Sequence, residues 1–125
     1  MEVARLLGEY TGKIVLLKGN CDAEIDEMIS PLPLTTHFGM FAGGKSVFFT
    51  HGHVYCKEKP PVGYDIVING HFHTAKIEKE GGVIYANPGS PSHPKENTVR
   101  GALVLTDNSL ALYTLTGEEK ERVSW

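Results

Sequence analysis

Apolar positions in the first ten residues recur at spacings of three and four: Val3, Leu6, Leu7 and Tyr10. That period predicts an amphipathic helix over Glu2 to Glu9 that packs one face on a neighbour. Thr11-Gly12 stops it. Lys13 to Lys18 then runs without polar alternation, the pattern of a strand covered on both faces and parallel to its neighbours. A helix feeding such a strand is the second half of a β-α-β unit, and the unit's first strand is not in this sequence. Ala23 to Ile29 reads as a short helix burying Ile25, Met28 and Ile29, ended by Pro31 and Pro33. From Thr35 onward the pattern is that of strands. Thr35 to Phe41 and Lys45 to Thr50 flank Gly43-Gly44, and Ala75 to Glu80 and Val83 to Ala86 flank Gly81-Gly82. Gly101 to Thr106 and Leu110 to Leu115 flank Asp107-Asn108-Ser109. These are three hairpins. Asp65 to Asn69 is a further strand after a charged, Pro-rich loop, and Glu118 to Trp125 is charged and expected to be loosely held.

The order of elements is α/β and their content α+β. The expectation is a three- or four-stranded sheet containing Ile14 to Leu17, packed on a mostly antiparallel sheet from the second half. The 125 residues are 41% hydrophobic and 22% charged, which suits one domain over 1–125 with a real core. A net charge of −3 gives no nucleic-acid-binding signature, because such binders usually carry a basic face. No segment approaches the ~20 apolar residues of a membrane span, and the N-terminus lacks the features of a signal peptide. Two cysteines, one of them inside a motif described next, are expected to be free thiols in a reducing cytoplasm.

Three strings follow predicted strands: Gly19-Asn20-Cys21-Asp22, Thr50-His51-Gly52-His53 and Gly70-His71-Phe72-His73. Open α/β sheets bind ligands beyond the carboxyl ends of their strands, so Asn20, His51, His71 and His73 are candidate ligands of one metal centre. His71 and His73, two apart, would lie on one face of extended backbone, with Phe72 turned into the core. Four of the six histidines fall in these strings. An amide oxygen beside imidazoles suits Mn²⁺, Zn²⁺, Ni²⁺, Fe²⁺ or Mg²⁺. Gly19 to Asp22 also reads as a turn with Asp22 as N-cap of the next helix. Both readings can hold together. Cys21 is either a small packed thiol or a reactive one; Cys21, Asp22 and His53 are candidate groups near the substrate. Asn87-Pro88-Gly89-Ser90 reads as a tight turn, His37 and His93 as surface histidines, and Val54 to Gly63 as a pocket rim.

Taken in order, Gly-Asn-x-Asp, His-Gly-His, Gly-His-x-His and Asn-Pro-Gly-Ser resemble the calcineurin-like metallophosphoesterase superfamily, in particular its small bacterial and archaeal phosphodiesterases. The resemblance runs from about Lys13 to Leu115. It implies a metallophosphoesterase-type β-sandwich with flanking helices and hydrolysis of a small-molecule phosphodiester at two divalent metals, Mn²⁺ foremost. It assigns Asn20, His51 and His71 to one metal and His73 to the other. In the family a bridging Asp and an Asp-x-His pair, carried by a leading β-α-β segment, complete the centre. This chain is therefore read as lacking that segment through a misplaced gene start, a frameshift or proteolysis. Such a chain should bind at most about one ion tightly and should be a weak catalyst. It should also self-associate through the edge and apolar surface left uncovered. Two other origins are a natural protein-interaction platform, as in the retromer-subunit branch of the scaffold, and a site completed by another polypeptide.

Overall fold

The computed structural model describes residues 2–22 and 24–125, the side chains of Ile25 and Glu27 excepted. In chain order the elements are α1 (Glu2–Gly8), β1 (Leu16–Leu17), α2 (Glu24–Ile29), β2 (Leu34–Thr35), β3 (His37–Ala42), β4 (Lys45–Thr50) and β5 (Ile66–Asn69). They continue as β6 (Lys76–Glu80), β7 (Val83–Asn87), β8 (Gly101–Leu105), β9 (Ser109–Thr114) and β10 (Glu119–Ser124). A five-stranded sheet has the order β3-β4-β5-β7-β6, and a three-stranded sheet the order β10-β9-β8. Within the larger sheet β4, β5 and β7 are parallel, and the hairpin partners β3 and β6 close the edges antiparallel.

The parallel centre explains the burial. All four residues of β5 are buried, as befits a strand covered on both faces. On one face Val47, Ile66, Ile68, Ile84 and Ala86 meet Leu110 of the smaller sheet, with Leu103, Val123 and Trp125 packed around them. On the other, Phe48, Val67 and Tyr85 form a second cluster with Tyr64 and Val83. Val47, Ile66, Val67, Leu110 and Leu112 are fully buried, and each such side chain contributes about 1.5–3 kcal/mol. Asp65 clamps the start of β5 to β4: its Oδ2 accepts from Ser46 N at 2.9 Å and from Ser46 Oγ at 3.1 Å.

The three hairpins form where the Gly and Asn signals place them, and the sandwich of two sheets is present. Four expectations are corrected. The run Lys13 to Lys18 yields only Leu16–Leu17, half-buried and paired in parallel with β2 in a separate two-stranded sheet. The turn after α1, where Lys13 N donates to Tyr10 O at 2.9 Å, takes up its first part. The both-face coverage foreseen for that run belongs to β5. Second, no residue of α1 is buried; Val3 and Leu6 are exposed. Third, Met28 and Ile29 of α2 are exposed, while the side chain of Ile25 lies outside the described residues. Fourth, the C-terminal segment is strand β10 rather than a loose tail. Val123 and Trp125 pack on the core, and Trp125 Nε1 donates to Asp107 O at 3.0 Å. Its outward charges pair locally, with Arg122 Nε donating to Glu119 at 2.7 Å.

Candidate metal centre

Adjacent parallel strands in register bring their carboxyl ends level: Thr50 pairs with Asn69, and Ile68 with Ala86. The residues that follow are therefore neighbours. Gly70 N donates to His51 O at 2.8 Å, which fixes the two histidine loops side by side. Gly52 lies between them with φ +119, and a Cβ there would sit 2.9 Å from Asn69 Nδ2 and 3.2 Å from His71 Cβ. Only glycine fits a position that is both left-handed and this close to a neighbour. The third loop arrives from β1: Asp22 Oδ2 accepts from Gly19 N at 2.6 Å, closing the turn that presents Asn20. That bond shows what the Asp22 carboxylate does here. Its expected N-cap role depends on the backbone around Ala23, outside the described residues.

Two donor atoms flank a third. His51 Nε2 lies 3.0 Å from Asn20 Oδ1 and 3.1 Å from His71 Nδ1. The amide oxygen can only accept, so the network assigns the proton to His51 Nε2, shared with the lone pair of His71 Nδ1. Donors on adjacent corners of an octahedron with ~2.1 Å bonds are about 3.0 Å apart, and each of these two distances matches that edge. Burial first, then the neighbouring imidazoles of His71 and His53, push the pKa of His51 below the ordinary imidazole range. The ring is therefore neutral at pH 7, as a metal ligand must be.

His73 joins the same cavity, of about 440 Å³, which Cys21 and Asp22 also line. Its Nδ1 lies 3.1 Å from the His93 carbonyl. A carbonyl only accepts, so Nδ1 carries the proton and Nε2 keeps its lone pair, the arrangement by which proteins orient a metal-binding imidazole. His53 is exposed, its ring centroid 5.4 Å from that of His51. Cys21 is an exposed free thiol, and Cys56 is free as well. Among the described residues no three His, Cys, Asp or Glu side chains converge on one point. The third donor here is an amide.

The backbone of the Gly-His-x-His string departs from the expectation of a strand. His71 and His73 have φ of 64° and 58°, left-handed values that cost a non-glycine residue about 1–3 kcal/mol and cluster at functional sites. The two rings therefore diverge into the cavity from a tight turn, in which Phe72 N donates to Gly70 O at 2.7 Å. Phe72 is 45% exposed, not in the core. The loop Val54 to Gly63 is not the rim of this cavity; Cys56, Lys57 and Glu58 line a neighbouring one.

Three buried polar residues that sequence reasoning left aside position the histidines. Asn69 Nδ2 and Asn87 Nδ2 both donate to Gly70 O, at 3.0 and 2.9 Å. Ser90 Oγ accepts from His93 N at 2.9 Å, holding the segment whose carbonyl orients His73. The signal was the Asn-Pro-Gly-Ser string itself, which reads as a turn when taken alone. His93 matters through its backbone, and its exposed side chain contacts only Ser92 Oγ at 2.9 Å.

A family model, the calcineurin-like phosphoesterase superfamily domain, matches residues 1–109. The phosphodiesterase YfcE of Escherichia coli (strain K12) is 33% identical over an alignment of 122 positions, which takes in 87% of this chain. The chain spans 66% of that relative, just under two thirds of its length. The solved structure of YfcE, a phosphoesterase from E. coli, superposes with a TM-score of 0.90 at 28% identity, covering 98% of this chain and 70% of that one. Vps29 from Entamoeba histolytica, solved in complex with Zn²⁺, shares the fold with a TM-score of 0.61 at 24% identity, over 89% of this chain and 68% of that one.

Proposed function

This chain belongs to the calcineurin-like phosphoesterase superfamily, and we propose from that premise that its donor cluster serves metal-dependent hydrolysis of a small-molecule phosphodiester. The observation that supports the reading is that Asn20 Oδ1 and His71 Nδ1 both lie within 3.0–3.1 Å of His51 Nε2. Those three residues hold one divalent ion, with Mn²⁺ the first candidate among borderline metals. His73, with Nε2 free, is a donor toward a second ion. A divalent ion bound there polarises a phosphoryl oxygen and lowers the pKa of water into the neutral range.

The chain's own residues supply the rest. Asp22 holds the Gly19-Asn20 turn in the donating position, and the left-handed turn at His71 aims its Nδ1 inward. His53, exposed beside His51, is placed to meet the substrate, as is Cys21. Two cations at short separation repel strongly unless a carboxylate bridges them, and no carboxylate joins the three-donor cluster among the described residues. On this reading the 125 residues by themselves would bind at most about one ion tightly and catalyse weakly.

The test is direct. With Mn²⁺ supplied, residues 1–125 should bind one ion per chain and hydrolyse bis(p-nitrophenyl) phosphate barely above the buffer–metal background. Turnover by a factor of thousands over that background would overturn the weak-site reading. Failure to bind Mn²⁺ at all would instead favour a protein-interaction platform, the use suggested by exposed apolar residues on α1, just before β1 and on α2. Val3, Leu6, Val15, Met28 and Ile29 are all exposed, and exposed apolar side chains that cluster recruit partners. We propose that this face pairs copies of the chain. Light scattering at micromolar concentration should give a dimer or larger, and a clean monomer mass would refute it.

A further inference from the structure

Beside the donor cluster, a cavity of about 200 Å³ lies between the loop after β4 and the outer face of β5, β7 and β6, and the phosphodiesterase reading does not use it. Its roof is fixed: Tyr55 and Tyr64 pack on Phe48 with centroids 5.7 and 4.8 Å away. Lys57 Nζ ties the loop to β6 through Glu78 at 3.3 Å and Glu80 at 3.1 Å. Phe72 is the shared wall. It lines this cavity, and its ring meets that of His71 edge-on at 5.0 Å.

Two polar side chains of largely buried residues line the space. Tyr85 is 8% exposed, its ring held in the cluster of Phe48 and Val67, and its hydroxyl has no hydrogen-bond partner among the described residues. Asn69 is 7% exposed, and while Nδ2 is committed to Gly70 O, Oδ1 accepts no bond. Among the described residues no buried side-chain nitrogen or oxygen lacks a partner, so these two atoms are open to water and available to a ligand that displaces it. The volume is below the ~300–1,000 Å³ of sites that engulf a whole drug-sized ligand, which leaves room for one ring system. The exposed Phe72 ring and the acceptor Asn69 Oδ1 suit a flat ring bearing N–H donors. The charge of Lys57 is already neutralised, so a second anionic group is not favoured.

We propose that this cavity is a base-binding subsite, taking an amino-bearing heteroaromatic ring such as adenine from a nucleotidyl phosphodiester whose phosphate lies at the histidine cluster. Its assignment to the substrate rests on the phosphodiesterase reading, but base binding does not require a metal.

Titration of ¹⁵N-labelled protein with adenosine, followed by amide shifts, tests it. Shifts should concentrate at residues 56–58, 69–74 and 85. Phe72→Ala, a change at an exposed position, should weaken binding about tenfold or more through lost stacking. Tyr85→Phe should weaken it about tenfold with the remaining spectrum unchanged, and purine riboside, which lacks the amino group, should bind about tenfold more weakly than adenosine. No shifts at the cavity with millimolar adenosine, or equal affinity for Phe72→Ala and the unmodified protein, would overturn the proposal. Mn²⁺ binding followed by electron paramagnetic resonance separates the two readings. Adenosine bound in a chain that takes no Mn²⁺ keeps the base site and removes the phosphodiesterase reading, whereas Mn²⁺ bound without adenosine does the reverse.

Discussion

Replacing His71 with Ala should raise the dissociation constant for Mn²⁺ by about 100-fold or more, since even residues that only support a ligand cost 10–100-fold. Three donors meet at this point, and His71 Nδ1 is one of the two imidazole nitrogens, 3.1 Å from the other. Its loss leaves one ring and one neutral amide oxygen, a pair that seldom holds a divalent ion against water. The fold should tolerate the change. His71 is only half-buried, and its backbone is held by Gly70, which Asn69 and Asn87 brace independently. His93→Ala is the matched control: it removes a histidine from the neighbourhood but keeps the carbonyl that orients His73. Isothermal titration should show the first variant without tight binding and the second unchanged. Equal affinity in both would place the ion elsewhere in the molecule. Two ions per chain after dialysis would show that another group bridges a second site.

Gly43→Ala should cost about 3 kcal/mol or more, the range of overpacking plus left-handed strain. The Gly43-Gly44 turn between β3 and β4 rests on the turn between β8 and β9. A Cβ built on Gly43 would fall 1.5 Å from Asp107 O and 2.6 Å from its carbonyl carbon, at a φ of +54. Backbone cannot step aside as a side chain can. Asp107 O also accepts from Trp125 Nε1, so displacing it disturbs the Trp125 ring packed on the core. Gly44 isolates the contact, because it too is left-handed, at φ +78, yet has nothing within 4 Å of its would-be Cβ. Gly44→Ala should cost only about 1 kcal/mol. Thermal melts should therefore separate the two variants by roughly 5–10 °C. Coincident melts would mean that the two turns part freely and do not join the sheets.

Local patterns carried much of this protein. The three hairpins were readable because Gly-Gly and Asp-Asn-Ser punctuate runs of strand formers, and a turn's preference for left-handed residues is a property of four residues alone. The donors Asn20, His51 and His71 were readable because each follows an apolar run, and the ends of parallel strands meet. What the sequence could not supply was coverage. Lys13 to Lys18 and Asp65 to Asn69 look equally apolar, yet only the latter is buried on both faces, since burial is decided by which strands become neighbours. The same holds for α1 and α2, whose apolar positions have the right period while Val3, Leu6, Met28 and Ile29 are exposed. β10 was hidden by its charges, because an edge strand can show polar residues outward and bury only Val123 and Trp125. The His71 turn was hidden too. Two histidines at spacing two suit a strand, but the hydrogen bonds from Asn69 and Asn87 to Gly70 O, one of them made by a residue 17 positions away, hold the backbone left-handed. Sequence determined which polar side chains follow the strands; tertiary contacts decided how they are aimed, because a side chain's direction depends on backbone held by residues distant in the chain.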